Sequence, residues 1–265
     1  MPKHTKYAAK QPDAAGFIHY TPEEDKVWQD LALQQQPRVN RLMADAFLEG
    51  QRKLDLPMHR VPQCVEVSET LTDLTGWKVE PVPALIGFSQ FFEMLSKRCF
   101  PAASFIRSRE DFDYIEEPDI FHEIYGHTPL LTNPHFAKFS QKIGEIGLQC
   151  EKSDYSWLIR LYWFTVEFGL MREEGEIKAL GSGLASSPGE LAHSVHEPTV
   201  VRKEFDVIDI LRTPYRIDIN QPIYFVLDSV EQLLEAIERD LLADIKDAQR
   251  LGLHAPTYEP KKKAG

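Results

Sequence analysis

The segment from Trp157 to Met171 most constrains the fold, because only Arg160 and Glu167 carry charge across it. The remaining residues are Trp, Leu, Ile, Tyr, Phe, Val, Gly, Thr and Met. The pattern predicts a helix over residues 154–171, and a helix apolar on nearly all faces is buried on nearly all faces. With 43% hydrophobic and 11% aromatic residues, the 265-residue chain can build a core around it as one large domain. Glu167 then sits inside that core, where an unpaired carboxylate is expensive. Two partners are open: an arginine such as Arg160, in a buried salt bridge, or a metal ion. Trp163 lies one turn before Glu167 on the same face.

A second stretch, PDIFHEIYGHTPL from Pro118 to Leu130, places His122, Glu123 and His127 in an equally apolar setting. Paired histidines are a common way to hold a metal, and the alternative is a pair of satisfied core or surface histidines. The spacing is unusual. Zinc-peptidase helices carry their histidines at i and i+4, whereas these are five apart, about 140° around an α-helix. Gly126 can end a helix, and Pro129 biases Thr128 away from helical dihedrals. The reading is therefore that His122 occupies a last turn and His127 lies just past it, where the chain folds back.

Elsewhere the pattern is mostly helical with a few short β-strands. Thr21-Pro22-Glu23-Glu24 is a capping box opening a helix to Gln36, with a break expected at Pro37. Further helices are expected over 38–53, 63–75 (ending at Gly76), 89–98 (capped by Ser89) and 133–151. Another is expected over 187–196, capped by Ser187, and a last one over 231–250, introduced by Asp228-Ser229-Val230. Short strands are expected over 102–106, delivering Arg107 at its end, and over 177–180, 215–219 and 223–227. Gly181-Ser182-Gly183 reads as a turn. Pro81 to Phe88, with two prolines and a glycine, reads as a structured apolar loop of the kind that lines sites.

The net charge of -11 disfavours nucleic acid as a partner. No apolar run is long enough for a membrane span, and there is no signal peptide. Cys64, Cys99 and Cys150 are sparse and unpatterned, which fits a reducing, cytoplasmic setting. Residues 1–20 read as a strap or loose end, and residues 256–265 as a flexible tail with a solvated lysine run.

Two imidazoles and one carboxylate leave open positions on a metal. Zinc hydrolases use such a set with a further Glu as base, and non-haem Fe(II) oxygenases use it as a facial triad. Glu123 beside His122 superficially suits the hydrolase. The five-residue spacing and the Phe, Trp and Tyr surroundings favour iron and an aromatic ligand. A site-less scaffold or DNA-associated accessory protein is the remaining class; the acidic charge and the buried Glu167 speak against it.

PDIFHEIYGHTPLL, FAKFSQKIGEIGL, LYWFTVEFGL and GSGLASSPGEL, in this order and spacing, resemble the pterin-dependent aromatic amino acid hydroxylases. The resemblance runs from about Trp28 to the final helix and is densest over residues 81–227. It is closest to the short stand-alone phenylalanine 4-hydroxylase type of bacteria. It implies a single-domain hydroxylase catalytic fold over residues 21–255. The implied activity is a phenylalanine 4-monooxygenase acting on L-phenylalanine with O2, or the same chemistry on tryptophan or tyrosine. His122, His127 and Glu167 would hold Fe(II). Leu85, Ile86, Phe91, Glu123 and Tyr162 would bind a tetrahydropterin (tetrahydrobiopterin or a relative), with Glu123 also serving catalysis. Arg107 would pair with the amino acid carboxylate, and Pro118, Trp163, Phe168, Gly183 and Ser186 would line its pocket. With no regulatory segment before Thr21 and no heptad tail after Leu251, a monomer is expected. Relative to the animal enzymes, Ala84 to Phe88 replaces a Gly-Leu-Leu-Ser-Ser loop. Pro101 stands where they have a histidine, and Ile115 where they have a threonine.

Overall fold

The computed structural model describes residues 7–83 and 86–259. Helices dominate, as the periodicity predicts. Helix α1 (Pro22–Leu42) opens on the Thr21/Glu24 capping box and runs straight through Pro37. One lost backbone bond is outweighed there by burial of Val39 and Leu42 beyond the proline. The next helix, α2 (Asp45–Leu54), is correspondingly shorter than expected. Helix α3 (Cys64–Thr75) ends at Gly76 in the left-handed conformation.

Strand β1 (Lys78–Val82) takes in part of the proline-rich stretch and pairs in parallel with β2 (Cys99–Ala103). In a two-stranded sheet both strands are edges, so Pro81 and Pro101 are tolerated. Between them α4 (Phe88–Ser96) starts from Gly87, not from a Ser89 cap. Because β2 ends at Ala103, Arg107 sits on the following loop, four residues beyond the strand.

The histidine stretch does not terminate. Residues Phe121–His127 form a π-helix that continues into α5 (Thr128–Leu131). In π winding, residue i+5 returns over residue i, so His122 and His127 share a face without the chain folding back. Pro129 would be the π-register donor to the Ile124 carbonyl but has no N–H. The Thr128 hydroxyl donates to that carbonyl instead, at 2.6 Å. Gly126 serves close approach and not termination: a Cβ there would lie 2.7 Å from the Ser182 carbonyl oxygen.

After α6 (Pro134–Gly147), capped by Asn133, the apolar segment begins as α7 (Tyr155–Tyr162). It then also turns π over Trp163–Glu167, with Phe168 N–H donating to Trp163 O at 2.8 Å. The expected helix thus ends at Glu167, and Leu170 and Met171 belong to strand β3 (Leu170–Glu173). Strand β4 (Glu176–Ala179) pairs antiparallel with β3. The Gly-Ser-Gly segment is no turn; it begins helix α8 (Ser182–Ser186), followed by α9 (Pro188–His196) with Ser187 as cap.

Strand β5 (Val201–Glu204), helix α10 (Val207–Arg212) and strand β6 (Ile223–Leu227) complete a four-stranded sheet in the order β4-β3-β6-β5. No strand forms over residues 215–219. The last expected helix is two, α11 (Glu231–Glu238) and α12 (Leu241–Leu251). Asp240 caps the second by accepting from Ala243 N–H at 3.0 Å. No side chain from Asp228 to Val230 caps the first.

The core wraps the two π segments. Phe121 and Tyr125 stack at 4.7 Å, and Trp28 of α1 meets Phe121 edge-on at 5.3 Å. This packing locks the outer face of the first π-helix into the interior and turns its two histidines inward.

Candidate iron and pterin site

Three ligand atoms converge where the π segments face each other. The Nε2 atoms of His122 and His127 are 3.1 Å apart. Glu167 Oε1 lies 2.8 Å from His127 Nε2, and Oε2 lies 3.8 Å from His122 Nε2. Arg160 is not the partner of Glu167. Its guanidinium donates to Ser156 O at 2.9 Å and sits over the Trp157 ring.

Hydroxyls behind the histidines set their tautomers. Ser182 Oγ donates to Val166 O at 2.7 Å, so it accepts from His127 Nδ1, 3.1 Å away. Ser186 Oγ donates to Ser182 O at 3.1 Å and accepts from His122 Nδ1 at 2.8 Å. With both Nδ1 atoms protonated, both Nε2 lone pairs point at the same spot as the Glu167 carboxylate. Such a cluster is repulsive unless a proton or a cation sits within it. Ligands on right-angled bonds of about 2.1 Å stand about 3 Å apart, close to the spacings found. The residues therefore fit a divalent metal, with hydroxyls fixing the imidazoles from behind.

Glu123 is a second carboxylate nearby, its ligand atom within 4.8 Å of those of both histidines. Glu167 approaches the imidazoles more closely and is the better third ligand. The electrostatics separate the two. Burial pushes the Glu123 carboxyl up to about 8. Burial also opposes ionisation of Glu167, but the adjacent His127 outweighs it and holds the pKa below the ordinary value. Likewise burial opposes charging His127, and Glu167 overrides it and raises the pKa. His122, farther from the carboxylate, is left desolvated and falls to about 4.

Two cavities of about 320 Å³ each meet at this cluster. Pro118, His122, Trp163, Glu167 and Ile217 line both, and His127 lines the second, so the three donor residues lie where the cavities meet. Arg107, Phe168, Gly183 and Ser186 face the first cavity, together with Pro118 and Trp163. Ile86, Phe91, Glu123 and Tyr162 face the second. The sequence-derived residues thus separate into two groups, one on each side of the seam. Leu85 lies outside the described residues. Pro101 is on the second wall and Ile115 on the first, so both departures from the animal pattern fall on cavity surfaces.

Arg107 is buried and already has a partner. Its Nε and Nη2 donate to the two carboxylate oxygens of Asp119, each at 2.8 Å. Asp119 also accepts the Arg107 and His122 backbone N–H groups at 3.0 and 3.1 Å. Sequence reasoning passed over Asp119, although it is a carboxylate in an apolar run, the same signal that exposed Glu167. It likewise passed over Ser182 behind His127, read as part of a turn, and Tyr215, which stacks on Trp163 at 4.2 Å.

Comparison with known proteins places the chain in a family. A family model described as biopterin-dependent aromatic amino acid hydroxylase matches residues 3–251. The chain belongs to this family. Among relatives of the hydroxylase, a phenylalanine-4-hydroxylase of Pseudomonas aeruginosa is 45% identical over 262 residues, spanning 99% of this chain and 100% of that protein. The cold-active phenylalanine hydroxylase of Colwellia psychrerythraea has a solved structure with a TM-score of 0.93 and 48% identity, covering 95% of this chain and 97% of that one. That of Chromobacterium violaceum, solved with bound Fe(III), has a TM-score of 0.86 at 35% identity, covering 92% and 91%. The hydroxylase therefore has the single-domain catalytic fold of its family, and its cofactors are iron and a pterin. Among the described residues, no helix is long and apolar enough to cross a membrane.

Proposed function

We propose that this hydroxylase converts L-phenylalanine to L-tyrosine with O2 and a tetrahydropterin, with Fe(II) held by His122, His127 and Glu167. The reading rests on one observation: the donor atoms of His122, His127 and Glu167 converge where two cavities meet, one lined by Phe91 and Tyr162, the other by Arg107 and Phe168. Bound there, iron and reduced pterin supply the oxygen activation.

The chain supplies binding, orientation and dryness. Ser182 and Ser186 hold the imidazoles with their Nε2 atoms toward the metal. Phe91, whose ring meets Tyr162 edge-on at 5.5 Å, offers a flat apolar face to the pterin ring. Ile86 extends that platform, Glu123 hydrogen-bonds the pterin directly or through water, and Tyr162 lies beside it. Arg107 pairs with the carboxylate of the amino acid, where a planar guanidinium is well suited. Pro118, Trp163 and Phe168 enclose the aromatic side chain, with Gly183 and Ser186 on the adjoining wall. A Cβ at Gly183 would lie 2.9 Å from the Phe168 ring and 3.1 Å from Glu167 Oε2, so only glycine leaves the wall and the ligand in place.

The test is tyrosine formation from phenylalanine with added Fe(II) and tetrahydropterin, coupled to oxygen uptake. Full activity with zinc and no oxygen consumption would reject the reading. Phenylalanine should turn over faster than tryptophan or tyrosine, and faster tryptophan conversion would reverse the assignment of substrate. The protein is proposed to act as a cytoplasmic monomer, which light scattering on the purified chain checks for oligomeric state.

A further inference from the structure

The segment ahead of α1 crosses the outside of the loop that carries Arg107 and grips it residue by residue. Lys10 N–H donates to Ser104 Oγ at 2.9 Å, and the Tyr20 hydroxyl donates to Ser104 O at 3.0 Å. The Tyr7 ring stacks on Phe105, with centroids 4.6 Å apart and planes 7° from parallel. The Tyr7 hydroxyl accepts the Ser108 backbone N–H at 3.0 Å and donates to the Asp111 carboxylate. Tyr7 therefore holds Phe105 by its ring and Ser108 by its hydroxyl, on either side of Arg107.

From inside, Asp119 occupies the Nε and Nη2 edge of the same guanidinium. An amino acid carboxylate must be met by what that pairing leaves of the fork. Its direction depends on how the backbone around Arg107 is set. A fork-to-carboxylate contact is directional, and a misplacement of a fraction of an ångström weakens it.

We propose that Tyr7 is a positioning residue for the amino acid site: its hydroxyl fixes the backbone directly after Arg107 and so aims the guanidinium into the substrate cavity. The inference rests on the reading of Arg107 as the carboxylate partner. It gives the strap a task in substrate affinity, separate from metal and pterin binding, since Tyr7 contributes to neither cavity wall.

Two variants of the full chain loaded with Fe(II) test it. Tyr7→Phe keeps the stacked ring and loses only the hydroxyl. Arg107→Lys keeps a charge beside Asp119 and loses the fork. Rates are measured with L-phenylalanine and tetrahydropterin varied separately, and melting temperatures are recorded. Tyr7→Phe is expected to raise KM for L-phenylalanine on the order of threefold to tenfold. Its kcat and its KM for the pterin should stay within about twofold. Arg107→Lys should raise the same KM further. If Arg107→Lys raises it and Tyr7→Phe does not, the positioning role is overturned and the carboxylate reading stands. If Arg107→Lys leaves it unchanged, the carboxylate reading falls and the inference with it. A Tyr7→Phe protein in which kcat and both KM values worsen together with a lower melting temperature would mark the hydroxyl as merely structural.

Discussion

Substituting Gly126 by alanine tests how the proposed iron site depends on helix packing. The added Cβ would sit 2.7 Å from the Ser182 carbonyl oxygen and 3.3 Å from its carbon. Ordinary contact begins near 3.4 Å, so α8 and the first π-helix must separate by about 0.7 Å, and backbone cannot swing aside as a flexible side chain would. Two effects compete. Alanine is a better helix former than glycine by about 1 kcal/mol. Overpacking a rigid contact costs about 1–3 kcal/mol, so net destabilisation of about 0–2 kcal/mol is expected, a melting loss of at most a few degrees at this size. The same separation would carry Ser182 Oγ beyond hydrogen-bonding distance of His127 Nδ1, now 3.1 Å. Losing such an outer partner typically lowers metal affinity about 10–100-fold. The assay is iron competition with a chelator, run beside thermal melting. A Gly126→Ala protein that loses stability yet binds iron within about twofold of the parent would refute the link between this contact and the metal.

Three further outcomes follow from other contacts. Thr128→Val removes the hydroxyl that serves the buried Ile124 carbonyl; leaving that oxygen unsatisfied should cost about 1–3 kcal/mol in urea unfolding. Asp119→Asn leaves the buried Arg107 without its countercharge, so destabilisation of about 3–5 kcal/mol is expected by the same measurement. At Asp154, burial opposes ionisation, but hydrogen bonds from Gln249 and Lys246 outweigh it and hold the pKa below the ordinary 3.8. Its contribution is fully present above 3.8 and is lost as pH falls through the lower folded value. Asp154→Asn should therefore be less stable than the parent at neutral pH, with the gap closing only in strong acid; a gap that widened on acidification would refute the sign.

The chemistry-bearing residues were legible because each violates its surroundings. Glu167 is a carboxylate in an apolar helix, and His122 and His127 are polar groups in an apolar run; burial demanded partners for all of them. Asp119 obeys the same rule but was hidden by its partner, since nothing local shows that Arg107 folds back onto it. The π segments were not legible. The choice between an i+4 and an i+5 register is settled by which side chains must face the core. Thr128 ahead of Pro129 is the trace of that choice in the sequence, a hydroxyl placed where the proline withholds a donor.

Side-chain identity alone singled out His122, His127 and Glu167 as groups among apolar and aromatic residues that need partners, because an isolated charge in apolar surroundings is too costly to leave unpaired. It also determined three helix starts, through Thr21, Asn133 and Ser187, because capping is a local hydrogen bond. Tertiary structure alone decided that α1 survives Pro37 and that two histidines five residues apart share one face. Those outcomes turn on burial gained against distant parts of the chain, which outweighs the local cost of a lost hydrogen bond or an altered helical register.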